Sequence, residues 1–377
     1  MKPQIANIVL VHMLIVDVSR RYNMLIKTER YIFIDYIRFI AILCVVLCHS
    51  VEAVYSFSTD YLSTISDVSN LFRLLAFTIG RTFGVPMFLM ISGYLLLDRD
   101  YDTERVKKFY LNNWLHLVIC TMFWFLIYDI FLKYYMRNDL SISVIVKDAF
   151  LLHKVGMGHQ WYMPVIIGFY AMIPFISIMV KKEDLLKYLI IPYAIVFLYM
   201  SVFPSMNHLL QLHELESLDP RINRGFTGGI YGLFIVMGYI IKKGYLRRIK
   251  RWILVLLTVF SVVFLVFFYY KNYRNTYVLW YDSPFLIIAS ISFFEMASRV
   301  RKPKSNKLVF FLAEYSFAIY LIHYIIQYIK PVKIFMGAFI KPIQVIFFEI
   351  IMVLVSCLLA WLISRIPVAG KYLLYVK

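Results

Sequence analysis

A chain of 377 residues that is 62% hydrophobic, 18% aromatic and only 16% charged cannot be a single water-soluble globule; soluble domains are about half apolar and about a quarter charged. The formal net charge of +18 does not point to nucleic acid, because Lys and Arg are dealt out between apolar stretches and form no block or stripe. The four cysteines, Cys44, Cys48, Cys120 and Cys357, all lie inside apolar runs with no Cys-x-x-Cys, so no disulfide framework is expected.

Residues 1–30 read as an N-terminal cytoplasmic segment. Ile5 to Val18 is apolar, but it contains His12 and Asp17, is too short to span, and lacks the small-residue cleavage site of a signal peptide. Met24 is an alternative start, which would make residues 1–23 an upstream extension. From there, runs of about 20 apolar residues predict transmembrane helices near 33–55, 72–97, 109–132, 158–180, 186–204, 225–242, 252–270, 278–297, 308–329 and 342–364. The fold class is therefore all-α, a polytopic membrane bundle of about ten helices over residues 31–370, with a short cytoplasmic tail at 371–377. With the N-terminus inside, inner segments carry 26 Lys and Arg and outer segments 12, which favours both ends in the cytoplasm.

An ionisable side chain inside a span costs about 2.5–3.5 kcal/mol on insertion scales, so each is a candidate functional residue. The first span holds Asp35, Arg38, His49 and Glu52. Arg38 and His49 are eleven residues apart, which returns them to nearly the same helix face and separates them by about 16 Å along the axis. Asp35 and Arg38 are spaced to neutralise each other, and Arg38 has the alternative of snorkelling at the inner interface. The second span contains Arg81, a kinking Pro86, and Ser92 beside Gly93; Gly84 and Gly93 allow close helix approach. His159 and Trp161 open the fourth span, Asp282 opens the eighth, and His323 lies in the ninth; all are expected at the outer level of His49, as in an enclosed aqueous site. Interfacial His and Trp also serve as belt residues, so His159 and Trp161 stand between the two readings. No metal-ligand cluster is apparent.

The segment Ile34-Asp35-Tyr36-Ile37-Arg38, followed by His49, resembles the opening of the membrane-bound acyltransferase family 3, which carries an aromatic-Asp-x-x-Arg segment and an Arg-x10-His span. Val85-Pro86-Met87-Phe88-Leu89-Met90-Ile91-Ser92-Gly93-Tyr94 is similar to its Val-Pro-Leu-Phe-Phe-x-x-Ser-Gly-Tyr signature. His159-Gln160-Trp161-Tyr162 and Phe317-Ala318-Ile319-Tyr320-Leu321-Ile322-His323 resemble two later family segments. Together these cover about residues 30–370 in order, with a flavour of the surface-glycan O-acetyltransferases of the enterobacterial common antigen type. One stretch departs: many members begin the third span with Arg-x-x-Arg, where this chain has Asn113-Trp114-Leu115-His116, leaving Arg105, Lys107 or Lys108 for phosphate contacts.

The resemblance implies an O-acyltransferase of the bacterial plasma (inner) membrane. It would move an acetyl or similar group from acyl-CoA, with acetyl-CoA as donor substrate and no bound cofactor, to a hydroxyl of an envelope polysaccharide or lipid-linked sugar. Its partners would be that donor, that acceptor and the membrane lipids. His49 and Arg38 would be catalytic, His49 as general base or transient acyl carrier and Arg38 on the donor; Asp35, Glu52, Arg81, Ser92, His159, Trp161, Asp282 and His323 would bind substrate or donor. Arg81 or Ser92 would stabilise charge on the thioester oxygen. A glycan exporter, with the same charges lining a pathway, is the rival reading. The Arg38–His49 spacing suits donor-plus-base chemistry and has no special value in a pore.

Overall fold

In hydrocarbon every backbone N–H and C=O must find a partner within its own segment, so apolar stretches of this length emerge as helices. The computed structural model describes residues 31–153, 157–218, 228–272, 279–300, 306–329, 332, 337 and 339–375. The expectations for residues 1–30 lie outside the described residues. Within them the chain is an all-α polytopic bundle. Seven helices are long and apolar enough to cross a membrane, at Ile32–Val54, Asp67–Leu96, Thr103–Tyr134, Gly158–Val180, Ile191–Gln211, Arg251–Lys271 and Lys341–Ser364. The bent pair Lys307–Glu314 and Ser316–Ile326 makes an eighth, and Gly229–Lys242 and Pro284–Ser298 are shorter apolar helices. All ten expected spans thus have a counterpart, with shifted bounds. The lipid-facing surface is legible in α-helical register: Val255, Val259, Val263 and Phe267 form one exposed stripe.

The elements that build the site are α1 (Ile32–Val54), α2 (Asp67–Phe83), α3 (Val85–Leu96), α4 (Leu115–Tyr134), α5 (Ile142–Ala149), α6 (Tyr162–Val180), α7 (Gly229–Lys242), α8 (Pro284–Ser298), α9 (Lys307–Glu314), α10 (Ser316–Ile326) and α11 (Lys341–Ser364). Helix α1 is central, packing on α2, α3, α8, α9, α10 and α11.

Three local features set its surroundings. First, the second span is broken at Gly84, whose ψ of −101° leaves the helical region. Pro86 has no N–H to give the Thr82 carbonyl four residues back. The Ser290 hydroxyl of α8 donates to that carbonyl at 2.7 Å, so the break is satisfied from a neighbouring helix. Second, α3 and α7 cross backbone to backbone. A Cβ on Gly93 would lie 1.7 Å from the Ile235 carbonyl oxygen, and one on Gly238 would lie 2.0 Å from that of Met90. Third, the ninth span is not straight: it bends by 72° at Tyr315. The Ser316 hydroxyl caps the Ala313 carbonyl that the bend releases, and Tyr315 bonds Ser364 of α11. No Pro or Gly marks this bend in the sequence.

The described residues after the last span form one more short element. A helix at Pro367–Leu373 packs on α4, where Trp124 Nε1 donates to the Leu373 carbonyl at 2.7 Å.

Candidate active site

His49 lies one turn from the end of α1, where Glu52 follows it at i+3 on the same face. His49 Nδ1 and Glu52 Oε2 are 2.6 Å apart. A carboxylate only accepts, so Nδ1 carries the hydrogen, and a neutral ring in this tautomer has its lone pair on Nε2. The other oxygen, Glu52 Oε1, accepts from Arg81 Nη2 at 3.2 Å. One carboxylate therefore couples the imidazole of α1 to the guanidinium of α2, the relation by which an acid orients a base in hydrolytic triads.

Arg81 sits in the last turn of α2, next to the Gly84 break, and is 5% exposed. Burial of that charge is compensated from several sides. Besides Glu52 it donates to the Tyr281 hydroxyl at 3.3 Å. Its guanidinium carbon lies 4.6 Å from the Trp280 ring centre and 4.9 Å from that of Phe77.

Two more imidazoles complete the cluster. The His323 ring is 5.3 Å from His49 and the His159 ring 6.3 Å, between centroids. His323 Nδ1 is 2.8 Å from the Tyr320 carbonyl and 3.0 Å from that of Ile319. Carbonyls only accept, so Nδ1 again carries the hydrogen; Nε2 is buried with no protein partner. His159 stacks on Tyr324 at 4.4 Å, and its carbonyl accepts from Tyr320 at 2.7 Å. His49, Arg81, His159, Trp161, Tyr281 and Tyr320 line a common cavity of about 20 Å³, room for about one water or one hydroxyl group. Among the described residues no group of three or more His, Cys, Asp or Glu is arranged to hold a metal ion.

The remaining expected residues lie elsewhere. Arg38 pairs with Asp35 at 3.6 Å, about 16 Å along α1 from His49. Ser92 is on that lower level: its hydroxyl donates to the Phe88 carbonyl at 3.1 Å and lies 3.4 Å from the Tyr170 hydroxyl. It does not line the cavity beside His49, whereas Arg81, the alternative for the thioester oxygen, does. Asp282 does not line the cavity either; its adjacent Tyr281 does. Glu52, expected on substrate or donor, bonds His49 and Arg81. The departing stretch serves packing: Trp114 Nε1 donates to the Ile167 carbonyl and Asn113 bonds Tyr375. Arg105, Lys107 and Lys108 are exposed.

Trp280 and Tyr324 carried no mark in the sequence, and Tyr281 and Tyr320 stood beside marked residues without a role of their own. The run Leu279-Trp280-Tyr281-Asp282 at a span mouth was the available signal, but the acid drew attention from the two rings beside it.

Chemically, the cluster offers a hydroxyl-sized space, a lone pair on His49 Nε2 to take a proton, a carboxylate to face the resulting imidazolium, and a fixed cation for developing negative charge. No curated protein and no solved structure matches the chain. The acyltransferase domain of acyltransferase family 3 matches residues 31–365, most of the chain and every numbered helix above. The chain therefore belongs to the acyltransferase 3 family and is a membrane-bound acyltransferase.

Proposed function

We propose that this acyltransferase moves an acetyl or similar acyl group from acyl-CoA to a hydroxyl of an envelope polysaccharide or lipid-linked sugar, in the manner of the surface-glycan O-acetyltransferases. The observation that carries the reading is the chain Arg81–Glu52–His49, which leaves His49 Nε2 as a base on a hydroxyl-sized cavity. In this reaction the sugar oxygen attacks the thioester carbonyl while Nε2 takes its proton. The C–O bond forms, the C–S bond breaks, and the proton passes from His49 to the departing CoA sulfur. Glu52 holds the productive tautomer and faces the imidazolium. Arg81 favours negative charge near the carbonyl oxygen.

The excess of Lys and Arg in the inner segments supports an orientation with both termini in the cytoplasm, His49 toward the outside and Arg38 at the inner end, and the glycan acceptor suits a bacterial plasma membrane. The CoA phosphates then meet Arg38 and the exposed Arg105, Lys107 and Lys108, and the acyl end reaches outward along α1. The exporter reading is disfavoured by the acyltransferase domain that matches residues 31–365.

Acyl transfer from labelled acetyl-CoA into envelope glycan, in membranes carrying wild type or His49→Ala at matched expression, tests the reading. Label with wild type and none with the variant is expected. Equal label in both removes His49 from the mechanism, and label in neither overturns the donor or the reaction.

A further inference from the structure

A second, larger cavity of about 830 Å³ opens beside the His49 site, within the range of about 300–1,000 Å³ typical of small-molecule pockets. Asp148, Gln160, Trp161 and Trp280 are among its walls, and Leu152 stands at its rim, 77% exposed. Trp161 lines both cavities. Its ring packs on Trp280 at 5.5 Å and on Tyr281 at 5.4 Å, so it partitions the large cavity from the reacting groups.

The polar groups of this cavity are built in. Gln160 is 6% exposed, and its Oε1 accepts from the Met157 backbone N–H at 3.0 Å, which fixes the orientation of the amide. Its Nε2 donor is then left buried with no protein partner. Buried polar groups are nearly always bonded, and an exception at a cavity wall points to a ligand. Opposite in character stands Asp148 on α5, a 2% exposed carboxyl beside the fully buried Asp129 of α4. The walls thus supply an amide donor, two indole rings and the Asp148 carboxyl, which also shares a hydrogen bond with Asp129. That set suits a ring with hydroxyls around its edge and C–H groups on its faces.

We propose that this cavity is the acceptor site, that it takes a pyranose ring, and that it delivers one hydroxyl past Trp161 to His49 Nε2. The inference rests on the acyl-transfer reading and adds to it where the acceptor sits and which side chains recognise it.

The test uses Leu152→Cys in membranes open on both faces. The four native cysteines are buried, so a cationic methanethiosulfonate reacts at position 152 and fills the rim. Three quantities are read: retention of labelled acetyl-CoA, label in the solvent-extractable lipid-linked fraction, and label in the polymer. Modification is expected to drop transfer to background, to leave donor retention unchanged, and to be reversed by dithiothreitol. The fraction that loses label distinguishes a lipid-linked sugar from the polymer. Undiminished transfer by fully modified protein overturns the inference, as does loss of donor retention together with transfer. Absence of transfer in the unmodified wild type overturns instead the acyl-transfer reading.

Discussion

Glu52→Gln removes one charge and no volume, so it isolates what the carboxylate does. Glu52 sits between two donors, His49 Nδ1 at 2.6 Å and Arg81 Nη2 at 3.2 Å. An amide has one accepting and one donating end and cannot serve both. With its oxygen toward Arg81, its NH2 faces His49, whose Nδ1 must accept; the ring proton moves to Nε2 and the lone pair leaves the cavity. With its oxygen toward His49, its NH2 meets the guanidinium, donor against donor. The first arrangement keeps the charge-assisted bond and is favoured. Loss of a correctly presented base costs roughly 10²- to 10⁴-fold in kcat. Single-turnover transfer from labelled acetyl-CoA at saturating donor should show that loss, with donor KM unchanged and thermal stability close to wild type. Wild-type kcat in Glu52→Gln would refute the coupling of Glu52 to His49. Equal stability loss in Glu52→Gln and Glu52→Ala would make Glu52 a structural partner of Arg81 alone.

Four further outcomes follow from the geometry. Arg81→Lys keeps the charge but not the span from Glu52 to Tyr281 or the stacking on Trp280, and should lower kcat/KM by about 100-fold in the same assay. His323→Asn keeps a donor for the Tyr320 carbonyl but removes Nε2; transfer should fall while thermal stability holds, and unchanged transfer would make His323 structural. Ser290→Ala leaves the Thr82 carbonyl buried without its α8 donor and should destabilise by about 1–3 kcal/mol, read as a lower melting temperature in detergent. Gly93→Ala places a Cβ 1.7 Å from the Ile235 carbonyl oxygen, so α3 and α7 must separate, costing about 3 kcal/mol in the same measurement.

The membrane fold was legible because hydrocarbon imposes one local rule, and apolar runs of sufficient length obey it wherever they occur. The Gly84–Pro86 break was legible for the same reason, since proline acts on its own backbone. The 72° bend at Tyr315 was not: it is held by Ser364 and by a capping hydroxyl, contacts that sequence separation conceals. Within the site, His49 and Arg81 declared themselves by cost, polar groups in a place that opposes them. Glu52 declared itself too, but its role depended on Arg81, 29 residues away on another helix. Trp280, Tyr281, Tyr320 and Tyr324 are invisible to such a criterion, because aromatic side chains are at home in a chain with 30 Tyr and 32 Phe. Asp282 stands just outside its helix, beside the cavity-lining Tyr281.

The break in the second span has an electrostatic consequence. A helix that runs unbroken through the bilayer keeps its poles at the two surfaces. Here α2 stops at Phe83 and α3 starts at Val85, so the negative pole of one meets the positive pole of the other inside the bilayer, beside the turn that carries Arg81. The two partial charges largely offset each other, which leaves the Arg81 guanidinium to be balanced by side chains, the Glu52 carboxylate and the rings of Phe77 and Trp280 among them.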